Sequence, residues 1–152
     1  MSNVSLEIQK HGYYPKGGGE ITIEVHSTTN PILAIELLDC GDLLRVKGKA
    51  FVASLPEAVA IGMKDAASSF LWRKGINSSI VNIEVVRESP ANAVGGGSGI
   101  VLWAMTTNGC LFGGSSIGNK GIDMKDVGTE AAEELWRGLE KCRCVDEYLK
   151  TK

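Results

Sequence analysis

Apolar and polar residues alternate over Val4-Ser5-Leu6-Glu7-Ile8-Gln9 and again over Ile21-Thr22-Ile23-Glu24-Val25. This is the period of two half-buried strands. Between them runs Lys10-His11-Gly12-Tyr13-Tyr14-Pro15-Lys16-Gly17-Gly18-Gly19-Glu20, so a hairpin is expected. A tight hairpin needs only a glycine or two at positive φ. Three in a row behind Tyr-Tyr-Pro point to a backbone that passes close to something else. Ser27 to Pro31 reads as a connector, and Ile32 to Leu38 as a short strand entering a turn at Asp39-Cys40-Gly41-Asp42. Leu43 to Ala53 is a longer strand. Leu44, Val46, Gly48 and Ala50 lie on one of its faces, and Arg45, Lys47 and Lys49 on the other.

The period then changes. Ser54-Leu55-Pro56-Glu57 opens a helix with proline in its first turn, where the missing N–H costs nothing. Val59, Met63, Ala66, Ala67 and Phe70 recur at helical spacing, and Gly75 ends the helix. Ser79 to Val86 is a strand, and Arg87 to Ser98 a loop. Gly99 to Met105 and Cys110 to Gly114 form a hairpin about Asn108-Gly109, the strongest short turn signal. After a loop to Ile122, Asp123 caps a second helix with Ile122 placed to staple onto Val127. Val127, Ala131, Leu135 and Leu139 are its inward stripe. From Asp39 onward the order is strand, helix, strand, strand, strand, helix, which predicts an α+β or α/β fold: a mixed sheet with two helices packed on it.

Composition narrows the picture. The 152 residues are 43% hydrophobic, enough for a packed core, and carry a formal net charge of −2. A nucleic-acid partner would need a local basic surface, for which the row Arg45, Lys47 and Lys49 is the candidate; its plain alternative is a solvated face. The apolar runs are too short to cross a bilayer, and Met1-Ser2-Asn3 starts no signal peptide, so an intracellular protein of nucleus or cytoplasm is expected. Cys40, Cys110, Cys142 and Cys144 are then free thiols. Cys142 and Cys144 stand one residue apart, unlike a zinc or redox pair, so no metal is expected.

Several motifs imitate chemistry. Gly17 to Gly19 beside Lys16 read as a turn or as a backbone cradle for phosphate; a strand rather than a helix follows, which favours the turn. Gly114-Ser115-Ser116-Ile117-Gly118 satisfies G-x-S-x-G. No helix starts after its serine, and both histidines, His11 and His26, lie upstream, against the order of a hydrolase triad. Gly113 to Lys120 imitates a phosphate-binding loop, with the lysine one residue late and Gly121 where a hydroxyl belongs. His11 reads as a strand-end or turn residue.

The string Lys10 to Glu20 closely resembles one in RNA 3'-terminal phosphate cyclases. So do Gly99-Ile100-Val101-Leu102-Trp103-Ala104, Gly109 through Gly118, Lys120-Gly121, Val127-Gly128, Glu130-Ala131-Ala132-Glu133 and Asp146-Glu147-Tyr148-Leu149. The resemblance implies a core built of repeated β/α units like the enolpyruvyl transferases, with a thioredoxin-like insert. On this chain residues 1–38 would be a strand pair of the core, 39–143 the insert domain and 144–152 the start of the return to the core. No cysteine stands in Ser54-Leu55-Pro56-Glu57, where a thioredoxin-like redox pair would sit.

The reaction implied is the ATP-dependent conversion of an RNA 3'-phosphate to a 2',3'-cyclic phosphate through an adenylylated histidine, with a divalent metal. The resemblance places that histidine beyond Lys152 and the nucleotide motif before Met1. The expectation is therefore a truncated cyclase, inactive alone, that binds no ATP or metal by itself. Tyr148 is the position carried over: in the family this tyrosine stacks on adenine, but the polar residues that usually follow are here Lys150-Thr151-Lys152, and an exposed terminal tyrosine is the other reading. The alternative function is a non-catalytic RNA- or protein-binding module, including a cyclase-like protein of ribosome assembly. The exposed faces of the first strand pair further predict poor order or self-association.

Overall fold

The computed structural model describes residues 4–27, 39–89 and 91–141. The elements are β1 (Val4–Gly12), β2 (Glu20–Val25), β3 (Leu43–Ala53), α1 (Glu57–Arg73), a 3-10 turn (Ser78–Ile80), β4 (Val81–Glu88), β5 (Ala93–Val94), β6 (Gly97–Thr106), β7 (Leu111–Ile117) and α2 (Met124–Glu140). The architecture is α+β, with two mixed sheets where one was expected. A three-stranded sheet has the order β2-β1-β5, and a four-stranded sheet the order β4-β3-β6-β7. The strand expected over residues 32–38 lies outside the described residues.

In the larger sheet β3 and β4 are parallel and joined through α1, while β6 is antiparallel to β3, and β7 to β6. Alternation along β3 sends Val46, Gly48, Ala50 and Val52 inward. The register shifts between Leu43 and Arg45, and that extra residue turns Leu44 outward, against the expectation. Both helices cover the same face of this sheet. Phe112, Met63, Leu71, Ile100, Leu102 and Leu135 are the largest side chains of the core they close.

Helix α1 buries Ala60, Met63, Ala67, Phe70 and Leu71, whereas Val59 and Ala66, expected inward, stay at its margin. Its end is a Schellman closure. Ile76 N–H donates to Leu71 O, Gly75 N–H donates to Trp72 O, and Gly75 takes φ +87°. Helix α2 is capped as expected, with Asp123 Oδ1 accepting from Lys125 N–H at 2.8 Å. Ile122 remains half exposed, so the expected staple does not bury it.

The hairpin differs in kind. Val4, Leu6 and Ile8 stand directly across from Val25, Ile23 and Ile21, and all six are 50–69% exposed. No helix backs this face among the described residues. No helix of the described residues is long and apolar enough to cross a membrane.

Candidate functional site: the hairpin seam and the open sheet face

The seam between hairpin and larger sheet is held by backbone. Residues Ala93 and Val94, inside the stretch expected to be a loop, pair in parallel with His11 and Gly12. His11 N–H donates to Asn92 O at 2.8 Å, and Tyr13 N–H to Val94 O at 3.1 Å. The glycine string closes the turn: Gly17 N–H donates to Tyr13 O at 2.9 Å, Gly17 and Gly18 take φ +61° and +76°, and Gly18 faces Val94. A Cβ on Gly12 would run into the Gly19 backbone, and one on Gly97 into the Tyr13 ring. These glycines permit close approach, and the Gly17 N–H is already committed to protein.

Around that turn the side chains pack on one another. His11 lies between Tyr13 and Phe51, with ring centroids 6.4 and 6.0 Å away, and its Nε2 is 3.7 Å from Glu88 Oε1. The Tyr13 hydroxyl is buried with no hydrogen-bond partner among the described residues. Burial, and then the Glu88 carboxylate, push the phenol above its usual range. Lys16 borders a cleft of about 340 Å³ that is also lined by Tyr14, Pro15, Ser54, Ala93, Gly95 and Gly96. Ser54 closes β3 at φ +55°, a left-handed conformation rare for a residue with a Cβ.

The serine motif serves packing. Ser116 Oγ donates to Glu130 Oε2, and Ser115 N–H to Glu134 Oε2, both at 2.6 Å. These bonds fasten α2 to β7, which is an edge strand. His11 belongs to the seam, and His26 lies beside Glu24 at 3.6 Å, so neither stands with Ser116. Cys40 and Cys110 are buried, and Cys110 is a free thiol. Among the described residues no group of three His, Cys, Asp or Glu side chains could hold a metal ion. Tyr148 and the pair Cys142 and Cys144 lie outside the described residues.

The second feature is the sheet face opposite the helices. Arg45, Lys47 and Lys49 all emerge there, exposed. Across β6 the register sets Met105 beside Arg45, Trp103 beside Lys47 and Val101 beside Lys49. Arg45 Nη2 approaches Met105 Sδ to 3.2 Å, so the guanidinium lies across the sheet. Sequence reasoning found the cations and missed Trp103. Every position from Ile100 to Met105 is apolar, and alternation in such a run does not say which face the helices cover.

Fold and site together define an α+β domain with the sheet face opposite its helices free of helix cover, joined to a β-hairpin through the β4–β6 connection. Residues 38–140 match the RNA 3'-terminal phosphate cyclase (RTC) insert domain, and the chain belongs to that family. It is 32% identical over 146 residues to an RNA 3'-terminal phosphate cyclase of Caldivirga maquilingensis, covering 96% of this chain and 41% of the relative. It is 36% identical over 144 residues to the cyclase of Saccharolobus solfataricus, covering 95% and 40%, and 32% identical over 145 residues to that of Drosophila melanogaster, again covering 95% and 40%. The chain thus spans about two fifths of the length of these relatives.

Proposed function

We propose that the chain is the insert-bearing part of an RNA 3'-terminal phosphate cyclase, and that alone it does not cyclise RNA ends. The match of residues 38–140 to the insert domain carries this reading. The strand order β4-β3-β6-β7, with β3 and β4 parallel and both helices on one face, supports a thioredoxin-like outline for the insert. The insert is taken as residues 39–143, with 1–38 and 144–152 belonging to the core, and the protein as one of the nucleus or cytoplasm.

Two features of the seam support the reading that the chain holds no nucleotide by itself. The cleft beside Lys16 offers one cation, and the Gly17 N–H that could meet a phosphate is bonded to Tyr13 O. His11 neighbours the Tyr13 and Phe51 rings with its Nε2 3.7 Å from Glu88 Oε1, which supports a packing role in the seam. Incubated with ATP, Mg²⁺ and RNA ending in a 3'-phosphate, the purified chain should leave the 3' end uncyclised and take up no labelled AMP. Stable AMP on one of its side chains would overturn the proposal.

The hairpin face supports the same reading, because six paired apolar side chains facing water are built to be covered. In isolation the available cover is a second copy. Light scattering at rising concentration should show self-association, and Leu6→Lys with Ile23→Lys should return the chain to a monomer. A wild-type chain that stays monomeric at high concentration would refute it.

A further inference from the structure

We infer that the open face of the larger sheet is a platform for single-stranded RNA, with Trp103 as the stacking surface and Lys47 and Lys49 as phosphate contacts. The inference deepens the reading above and rests on RNA being the substrate of the family.

Three observations converge on this face. Its cations occupy alternate positions of one strand, so their side chains rise in a row at intervals of about 7 Å. That repeat suits successive phosphates of an extended strand. No carboxylate forms an ion pair with Lys47 or Lys49 among the described residues, although Glu84 is the register partner of Lys49 on β4. Glu88, further along the same strand, is turned to His11.

The second observation is the indole. Trp103 is the direct neighbour of Lys47, and its partner on β7 is Gly113, which has no side chain to cover the ring. Trp103 is also not among the hydrophobic side chains that pack on the core beneath the helices. A flat aromatic in line with lysines is what sequence-tolerant single-strand binding needs, since every base has a face to stack and every nucleotide a phosphate.

The third is access. Both helices lie on the opposite side of the sheet, Lys47 and Lys49 are exposed, and Trp103 between β3 and β7 is half-buried rather than enclosed. A duplex buries its base faces, so the platform selects unpaired RNA.

The test is fluorescence anisotropy with a labelled single-stranded RNA of mixed sequence and the same strand annealed as a duplex, measured over a range of salt. Wild type should bind the single strand in preference, with affinity falling as salt rises. Lys47→Gln with Lys49→Gln should make the slope of log K against log salt less steep by about 1.4, the release expected for two lost phosphate contacts on a single strand. Trp103→Ala should weaken binding about tenfold and leave that slope unchanged, while Trp103→Phe retains most of the affinity. Circular dichroism checks that each variant is folded.

Variants that bind as wild type does would overturn the platform and assign this face to another partner, such as a protein held by Val101 and Ile117. A wild-type chain that binds no single strand at low salt would overturn it too. Neither result touches the cyclase reading, which is decided by AMP uptake and the state of the RNA end.

Discussion

Gly128→Ala should destabilise the protein by about 2 kcal/mol, although alanine is favoured over glycine inside a helix by about 1 kcal/mol. Gly128 lies in the second turn of α2, where it faces the backbone of α1. A Cβ there would meet the Met63 carbonyl oxygen, with the carbonyl carbon at 2.8 Å and Cα at 2.9 Å. A side chain in the way could rotate, but a helix backbone can yield only if the whole of α1 moves. Overpacking of this kind costs about 1–3 kcal/mol and sometimes more, and the rigid neighbour places this case at the upper end. Subtracting the propensity gain leaves the stated net loss. Gly128→Val adds bulk and loses the propensity advantage, so it should leave no cooperative fold. Urea unfolding with an unchanged slope would measure the alanine variant. A raised midpoint would mean that α1 and α2 do not meet at Met63.

That contact matters for function because it keeps both helices on one side of the sheet, and the sequence announces this only in part. The alternation of β3, the Asn108-Gly109 turn, the Asp123 cap and the Gly75 stop were legible, since each is fixed by a few neighbouring residues. Strand β5 was not. Two residues carry no period, and their partners His11 and Gly12 are distant in the chain. The hairpin therefore looked like an appendage, when it is stitched to the loop before β6.

Errors of facing have a second cause. Val59 and Ala60, or Ala66 and Ala67, are adjacent apolar positions, and a wide stripe does not say which member points to the middle of the core. Leu44 fitted the period of its strand until the bulge shifted the register. For the candidate surface the cations were plain in the sequence, but their alignment with Trp103 depends on the β3–β6 register, a long-range fact. Conversely, the glycine string and the serine motif looked like chemistry because short motifs specify backbone shape, and tight packing asks for the same residues as catalysis does.

Gly114 separates those two readings by experiment. Gly114→Val should cost about 3 kcal/mol or more, because a Cβ at this position would press on the Ala131 carbonyl oxygen, with Leu135 N at 2.6 Å and Leu135 Cβ at 3.0 Å. Valine would lift α2 from β7 and break the bonds from Glu130 and Glu134 that hold them together. It would also expose the edge N–H of Ser115, the group Glu134 now covers. Ser116→Ala removes one hydroxyl at the exposed rim of the same contact and should cost only about 1 kcal/mol. A hydrolase elbow would show the reverse order, with the serine decisive for activity and the glycine tolerant of modest bulk. Thermal and urea unfolding of the two variants side by side therefore tests why G-x-S-x-G occurs here. If Gly114→Val unfolds no more readily than Ser116→Ala, the packing account of this motif is wrong.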